Sequence, residues 1–354
     1  MKYIGMDMHK ATVMVSWVDE NNCVVSPFQI RNTTEQLEAF ARAVEGPCRV
    51  AIEATRNHAF VHDLLEGEGL DVFVSHPKHT EAITSSKKKS DRHDAITLAR
   101  LLKAELLTES YVPPLEVRLL RELVREQRRL VSISTRARNW IRATLAQDGL
   151  NCHFRDIFGK GAQAWLACAN IHPSRRRSVA RNLELIAFLQ DRIRTVSEEI
   201  VALVKDDPDV RLLITIPGVG YLTAAAIRSE IGDVTRFSSD RHLASYAGLV
   251  TTTRESAGFV RHGHIMKEGS AVLRWALSMA VIHLIRKPGP LNVFYERLRE
   301  KHGKKSARTA TARKLARYVF AILTTRKEYD PQMPARRRVE CLLGRPPVRV
   351  GQAR

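Results

Sequence analysis

The sequence predicts an α/β domain followed by a longer, mainly helical remainder. Three observations carry that expectation. Short β-rich runs alternate with helical stretches through about the first 110 residues, whereas long helical periodicities dominate afterwards. The two parts also differ in charge. Of 57 Lys/Arg and 38 Asp/Glu, residues 1–86 hold 7 and 12, leaving 50 and 26 for the rest. At 354 residues the chain is long enough for two or three domains with real cores.

The elements of the first part follow in order. YIGMD and ATVMVSWVD are β-rich, Glu20-Asn21-Asn22 is a turn signal, and CVVSPFQI is a third strand. TTEQLEAFARAVEG reads as a helix, with Thr33 or Thr34 as N-cap and Gly46 as its stop. RVAIEA is a strand, HAFVHDLLEGEG a helix and DVFVSHP a strand, and SDRHDAITLARLL opens a further helix. This βββαβαβ succession with an acidic helix after it is RNase H-like (RuvC-like). A doubly wound dinucleotide fold is the rival, weakened because no GxGxxG follows the first strand.

Four carboxylates stand at informative places in that succession. Asp7 lies in the first strand, Glu53 ends RVAIE, and Asp91 and Asp94 share one helix face at i, i+3 spacing. Phosphodiester cleavage by two divalent ions, Mg²⁺ or Mn²⁺, needs several converging carboxylates, so this set is a candidate metal site. The basic run Lys87, Lys88 and Lys89 precedes it; such runs are commonly solvated loops, but here it is placed to hold a phosphate backbone.

Residues 115–148 read as one long helix with the stripe Leu119, Leu123, Leu130, Ile133, Ala137, Ile141 and Leu145. Arginines, among them Arg125, Arg128 and Arg129, cover much of the rest and point to nucleic acid. Residues 151–181 look irregular. A second long helix spans about 182–205, with Leu183, Ile186, Leu189, Ile193, Val196, Ile200 and Leu203 forming a coiled-coil-like seam. An antiparallel hairpin, with a further use as an oligomer contact, is the expectation.

LLITIPGVGYLTAAAIRSEIG has a helix-hairpin-helix pattern, in which Gly218 and Gly220 would expose N–H groups to a phosphate. A plain helix–turn–helix linker weighs equally. A polar stretch, TTTRESAGFVRHGHIMKEG, leads to the helix AVLRWALSMAVIHLIR. Ser270 precedes that helix as an N-cap by preference. With Lys267 before it and Arg274 one turn on, it also qualifies as a nucleophile in positive potential. Two helical stretches follow Lys287-Pro288-Gly289-Pro290, and the Pro- and Arg-rich end reads as disordered. The expected organisation is 1–110, 111–205, 206–328 and a basic tail 329–354.

The net charge of +19 and pI near 10.1 imply a polyanionic partner. The five scattered cysteines exclude a zinc ribbon and a disulfide framework and fit a reducing cytosol. No apolar stretch is long enough to span a bilayer, and MKYIGMDMHK is not a signal peptide, so a cytoplasmic protein is expected.

In combination, GMDMHK, AIEAT, SDRHDAITLAR, TIPGVGYLTAAAI, LASYAGL and KEGSAVLRWAL resemble the DEDD transposases of insertion-sequence family one-ten, over roughly residues 1–325. The resemblance implies a RuvC-like domain, a coiled-coil segment and a C-terminal transposase domain. It makes Asp7, Glu53, Asp91 and Asp94 the metal-binding tetrad and Ser270 a catalytic serine that forms a phosphoserine linkage with DNA. It further implies double-stranded donor and target DNA, a structured non-coding bridge RNA as guide, a homodimer or homotetramer, and action on the prokaryotic nucleoid. The family's Thr-Gly-x-Tyr after the glutamate is replaced here by Thr55-Arg56-Asn57-His58. A RuvC-like junction resolvase and a non-catalytic nucleic-acid-binding protein are the alternatives.

Overall fold

A computed structural model of the chain describes residues 1–332 other than 56, 78–79, 81–90, 152, 155, 157–158 and 257–258, and gives the backbone alone for 160, 253–256 and 259–262. The chain forms two compact units, Met1–Val112 and Pro113–Arg354.

In the first unit, β1 (Lys2–Met8), β2 (Thr12–Val18), β3 (Phe28–Arg31), β4 (Cys48–Glu53) and β5 (Asp71–Ser75) form one sheet in the order β3-β2-β1-β4-β5. β1 runs antiparallel to β2 and parallel to β4, which runs parallel to β5. β1 is central and covered on both faces, so Ile4–Met8 are buried without alternation and Asp7 is the one charged side chain among them. The third strand is shorter than CVVSPFQI predicts: Phe28–Arg31 pair regularly with β2, and Val24 adds only an isolated bridge to Val18.

α1 (Thr34–Ala43) and α2 (His58–Gly67) bury Leu37, Phe40, Val61 and Leu65 against Ile4, Met6, Val50 and Ile52 on one face of the sheet. On the other face lies α3 (Asp91–Lys103), with Leu98 and Leu102 packed on Ala51, Tyr3 and Phe73. Two contacts fix its seat. Gly5 lets the helix backbone approach β1, since a Cβ there would stand only 2.7 Å from Ala99 N and closer still to the Ala95 carbonyl. At the far end, Lys103 Nζ donates to the Asp19 and Glu20 carbonyls and to Asn22 Oδ1 in the β2–β3 turn.

The second unit opens with α4 (Leu115–Ala146), α5 (Lys160–Cys168) and α6 (Pro173–Val204). The start of α4 (Leu120, Val124) shares a core with the end of α6 (Val196, Ile200, Val204), and its end (Ile141, Leu145) with the start of α6 (Val179, Ile186). The two helices are therefore an antiparallel pair. Two expectations need correction. Residues 151–181 are not irregular throughout, because α5 lies within them and α6 begins nine residues early, at a Pro in its first turn. The buried stripes differ in part: Ala137, Ile141, Leu145, Ile186, Leu189, Val196 and Ile200 are buried as expected, but Leu119, Ile133 and Leu203 are exposed, while Leu120, Val124 and Val204 face inward. A straight helix of 3.6 residues per turn drifts relative to a 3.5-residue repeat, so a seam extrapolated along the sequence slides off the contact face.

α7 (Pro208–Ile214) is capped by Asp207, whose carboxylate accepts from the Asp209 and Val210 N–H groups. The turn Pro217–Gly220 leads into α8 (Tyr221–Ile231), and α9 (Asp240–Tyr246) follows. The polar stretch before Ser270 forms a two-stranded hairpin of β6 (Thr251–Ser256) and β7 (Phe259–Ile265). α10 (Ala271–Leu284) and α11 (Pro290–Thr325), broken at Gly303 (φ 76°), complete a core shared with α4, α6, α7 and α8. The segment from 329 starts out docked rather than free. Tyr329 N–H donates to Thr215 Oγ1 at 2.9 Å, and Tyr318 O–H to the Pro331 carbonyl at 2.9 Å. Burial pushes the Tyr329 phenol up to about 12. The rest of the basic tail, from 333, lies outside the described residues.

Candidate active site

The first group of functional candidates gathers where α3 meets the end of β1. Asp7 follows Gly5 on the face that α3 covers and is 8% exposed. Its Oδ2 lies 3.1 Å from His9 Nε2, which lies 3.3 Å from Asp91 Oδ2. Asp7, His9 and Asp91 offer ligand atoms that all lie within 4.8 Å of one another. Burial raises the Asp7 carboxyl above its ordinary range, His9 opposes the shift, and the negative charges of Asp94 and Asp91 add to it. Asp94 is thus close enough to be felt at Asp7.

Glu53 enters from the neighbouring strand. The parallel register pairs Met6 with Ile52, so Asp7 and Glu53 stand one step further along adjacent strands, on the face shared by Gly5 and Ala51. Its strand neighbour on the other side is Ser75. Lys87, Lys88 and Lys89, expected beside this group, lie outside the described residues. His9 is absent from the candidates drawn from the sequence, although its i+2 position from Asp7 in GMDMHK is a usable signal.

This donor set fits a divalent cation. Carboxylates of like charge converge on a half-buried point where the His9 imidazole lies between Asp7 and Asp91, and hard oxygen donors suit Mg²⁺ or Mn²⁺.

The second group lies at the start of α10. Ser270 caps that helix: its Oγ accepts from Leu273 N–H at 3.0 Å and donates to Glu230 Oε2 at 2.9 Å. Its own N–H donates to the Tyr246 carbonyl at 2.8 Å. Gly269 (φ +94°) permits that approach, because any Cβ there would collide with the same carbonyl. Glu230, in the last turn of α8, is buried and receives Arg125 Nε at 3.0 Å and Nη2 at 3.2 Å. Arg121 Nε donates to the Ser229 carbonyl, and Arg128 stacks over Trp275 at 4.4 Å from the ring centre. Burial lowers the Arg121 and Arg128 guanidinium groups, and the Glu230 charge opposes that shift.

The remaining basic candidates divide by role. Arg274 Nη1 donates to the Ala247 carbonyl at 3.0 Å, so it braces the loop below Ser270. Lys267 (φ 54°) and Arg129 are exposed. Gly218 (φ +89°) is a packing glycine, since a Cβ would stand 2.8 Å from Leu284 N of α10. Gly220, at the N-terminus of α8, faces open space. Glu230 escapes sequence reasoning because its partners lie 40 and 105 residues away.

Among the described residues, no helix is long and apolar enough to cross a membrane. Comparison with known proteins gives a consistent result. A DEDD-type IS110 transposase model matches residues 4–148, which include the first group. The model described as the transposase IS116/IS110/IS902 family matches residues 210–296, which include Ser270 and Glu230. Over 340 residues the chain is 26% identical to a probable family 20 transposase of Pseudomonas aeruginosa, covering 93% of this chain and 98% of that protein. It is 25% identical over 342 residues to the transposase for insertion sequence element IS1111A of Coxiella burnetii, covering 93% and 91%. A pilin gene-inverting protein of Moraxella bovis is 31% identical over 173 residues, covering 45% of this chain and 54% of that protein. The chain belongs to the IS110-type family of insertion-sequence transposases.

Proposed function

We propose that this transposase cuts and rejoins DNA with two sets of groups: a metal-binding tetrad of Asp7, Glu53, Asp91 and Asp94, and Ser270 as nucleophile. The observation that carries the reading is the convergence of Asp7 with Asp91, which α3 delivers onto the central strand beside the position of Glu53. The sheet order β3-β2-β1-β4-β5, with two parallel pairs on one side of β1, supports an RNase H-like fold for the first unit. A divalent ion held there, Mg²⁺ or Mn²⁺, would polarise the scissile phosphate and stabilise the leaving oxygen.

The residues of the chain do the rest. Burial keeps water from Asp7 and sharpens its preference for a cation. At the start of α10, the Leu273 N–H and the positive helix end stabilise negative charge on the serine oxygen. A phosphoserine linkage would conserve the energy of the broken ester for rejoining, which distinguishes recombination from hydrolysis. Arg125, Arg128, Arg129, Lys267, Arg274, Lys87, Lys88 and Lys89, with the Gly218–Gly220 turn read as a helix-hairpin-helix, would hold phosphates of DNA and of a bridge RNA encoded with the element. Assembly as a homodimer or homotetramer completes the reading.

The test uses the full chain with a plasmid carrying its complete insertion element. Asp7→Ala and Ser270→Ala should each abolish strand exchange, and Ser270→Ala should also abolish the covalent protein–DNA adduct. A fully active Ser270→Ala removes the serine from the reaction and leaves a metal-dependent nuclease. Metal-independent function with all four carboxylates replaced, and no strand exchange by the unaltered protein, would reduce it to a nucleic-acid binder.

A further inference from the structure

We infer that Glu230 is the general base that takes the Ser270 proton, and that Arg125 is the residue that positions it. This rests on the reading of Ser270 as nucleophile. A carboxylate is costly where Glu230 stands. Its side chain is 1% exposed, and it sits in the last turn of α8, where the helix end is already negative. The carboxylate stands there against both burial and the helix dipole, held by the Arg125 guanidinium.

Hydrogen-bond geometry directs the proton. Ser270 Oγ accepts from Leu273 N–H, a group that can only donate. The single hydroxyl hydrogen is left to point at Glu230 Oε2, 2.9 Å away. Base and nucleophile are therefore within proton-transfer reach and correctly oriented. Arg125 grips both carboxylate oxygens of Glu230 while remaining half exposed itself. It can hold the base in place and still present an open edge to a phosphate. Arg121 and Arg128 lie in the field of the same carboxylate, so the pocket keeps net positive charge for the DNA backbone.

In the cleavage step, Ser270 Oγ forms a bond to phosphorus as the bond from phosphorus to the leaving sugar oxygen breaks. The hydroxyl proton passes to Glu230 Oε2, and the leaving oxygen keeps the bonding pair and takes a proton from water. On rejoining, a sugar hydroxyl loses its proton to water and displaces Ser270, whose oxygen recovers its proton from Glu230.

The experiment measures single-turnover formation of the covalent protein–DNA adduct on a supercoiled plasmid carrying the complete insertion element. Glu230→Gln keeps the shape of the side chain and its ability to accept the serine hydrogen bond, but it cannot take a proton. It should slow adduct formation by about 10²-fold or more, with the thermal transition and plasmid affinity retained. Glu230→Asp keeps the charge opposite Arg125 but withdraws the carboxylate from Ser270. It should be slowed as well, and it serves as the deciding variant if Glu230→Gln does not fold. A folded variant of either kind with an adduct rate within threefold of the unaltered protein overturns the assignment. An adduct that persists in Ser270→Ala instead overturns the nucleophile reading beneath it.

Discussion

Gly5→Ala tests whether the seat of α3 on β1 builds the acidic site. A Cβ at position 5 would lie 2.7 Å from Ala99 N and 3.0 Å from Leu98 Cβ, with the Ala95 carbonyl nearer than either. Unstrained contacts of this kind sit at about 3.5 Å, so α3 must withdraw by roughly 1 Å. Backbone cannot swing aside as a flexible side chain does, and overpacking of this kind costs about 1–3 kcal/mol. The same movement carries Asp91 and Asp94 away from Asp7, whose ligand atoms now lie within 4.8 Å of those of His9 and Asp91. A misplacement of about 1 Å at a reacting centre lowers rates by about 10²-fold. Thermal unfolding should show a loss of roughly 4–8 °C per kcal/mol for a unit of this size. Mn²⁺ titration should show weakened binding, and strand exchange should fall with it. Gly67→Ala is the control, because a methyl group there would have no atom within 4 Å and its helical site should be neutral or slightly stabilised. A Gly5→Ala protein with unaltered melting temperature and Mn²⁺ affinity would refute the reasoning.

Other perturbations follow from the same geometry. Because burial and the neighbouring acids raise the Asp7 carboxyl in the folded state, stability falls as pH rises from its unfolded value near 3.8 through the folded one, and the full penalty stands at neutral pH. Asp7→Asn should therefore raise the melting temperature in metal-free buffer at pH 7 while abolishing strand exchange; a lowered melting temperature there contradicts the sign. Ser270→Ala removes the cap of α10 and should cost about 1 kcal/mol in denaturant unfolding, beyond its loss of the adduct, whereas an unchanged midpoint would contradict the capping role. Plasmid binding should weaken by about 10³–10⁵-fold between 50 and 200 mM salt if six to ten phosphates are neutralised, and salt-independent binding would sink the electrostatic account of the arginine-rich helix.

Local pattern is legible where local physics decides. Strand runs, helix caps and the turn at Glu20-Asn21-Asn22 are readable because each rests on residues within a few positions of one another. The helix face shared by Asp91 and Asp94, and Ser270 at the head of an apolar helix, are visible for the same reason. The hairpin β6–β7 is not, because its strands are too polar to show a period of two. On α4 and α6 the pattern finds Ala137, Ile141, Leu145, Ile186, Leu189, Val196 and Ile200 on the inner face but misplaces Leu119, Ile133 and Leu203, since drift along a long helix is corrected only by the partner it meets.

The sequence by itself determined the order of elements in the first unit and the sign of charge in each part, and it offered the candidate residues for metal and serine chemistry. Tertiary structure alone decided who meets whom. Asp91 reaches His9 and Asp7 because Gly5 admits α3 to the sheet, and Ser270 meets Glu230 because α8 and α10 pack in one core. Those meetings join residues 40 to more than 80 positions apart, a separation over which propensity and spacing carry no information.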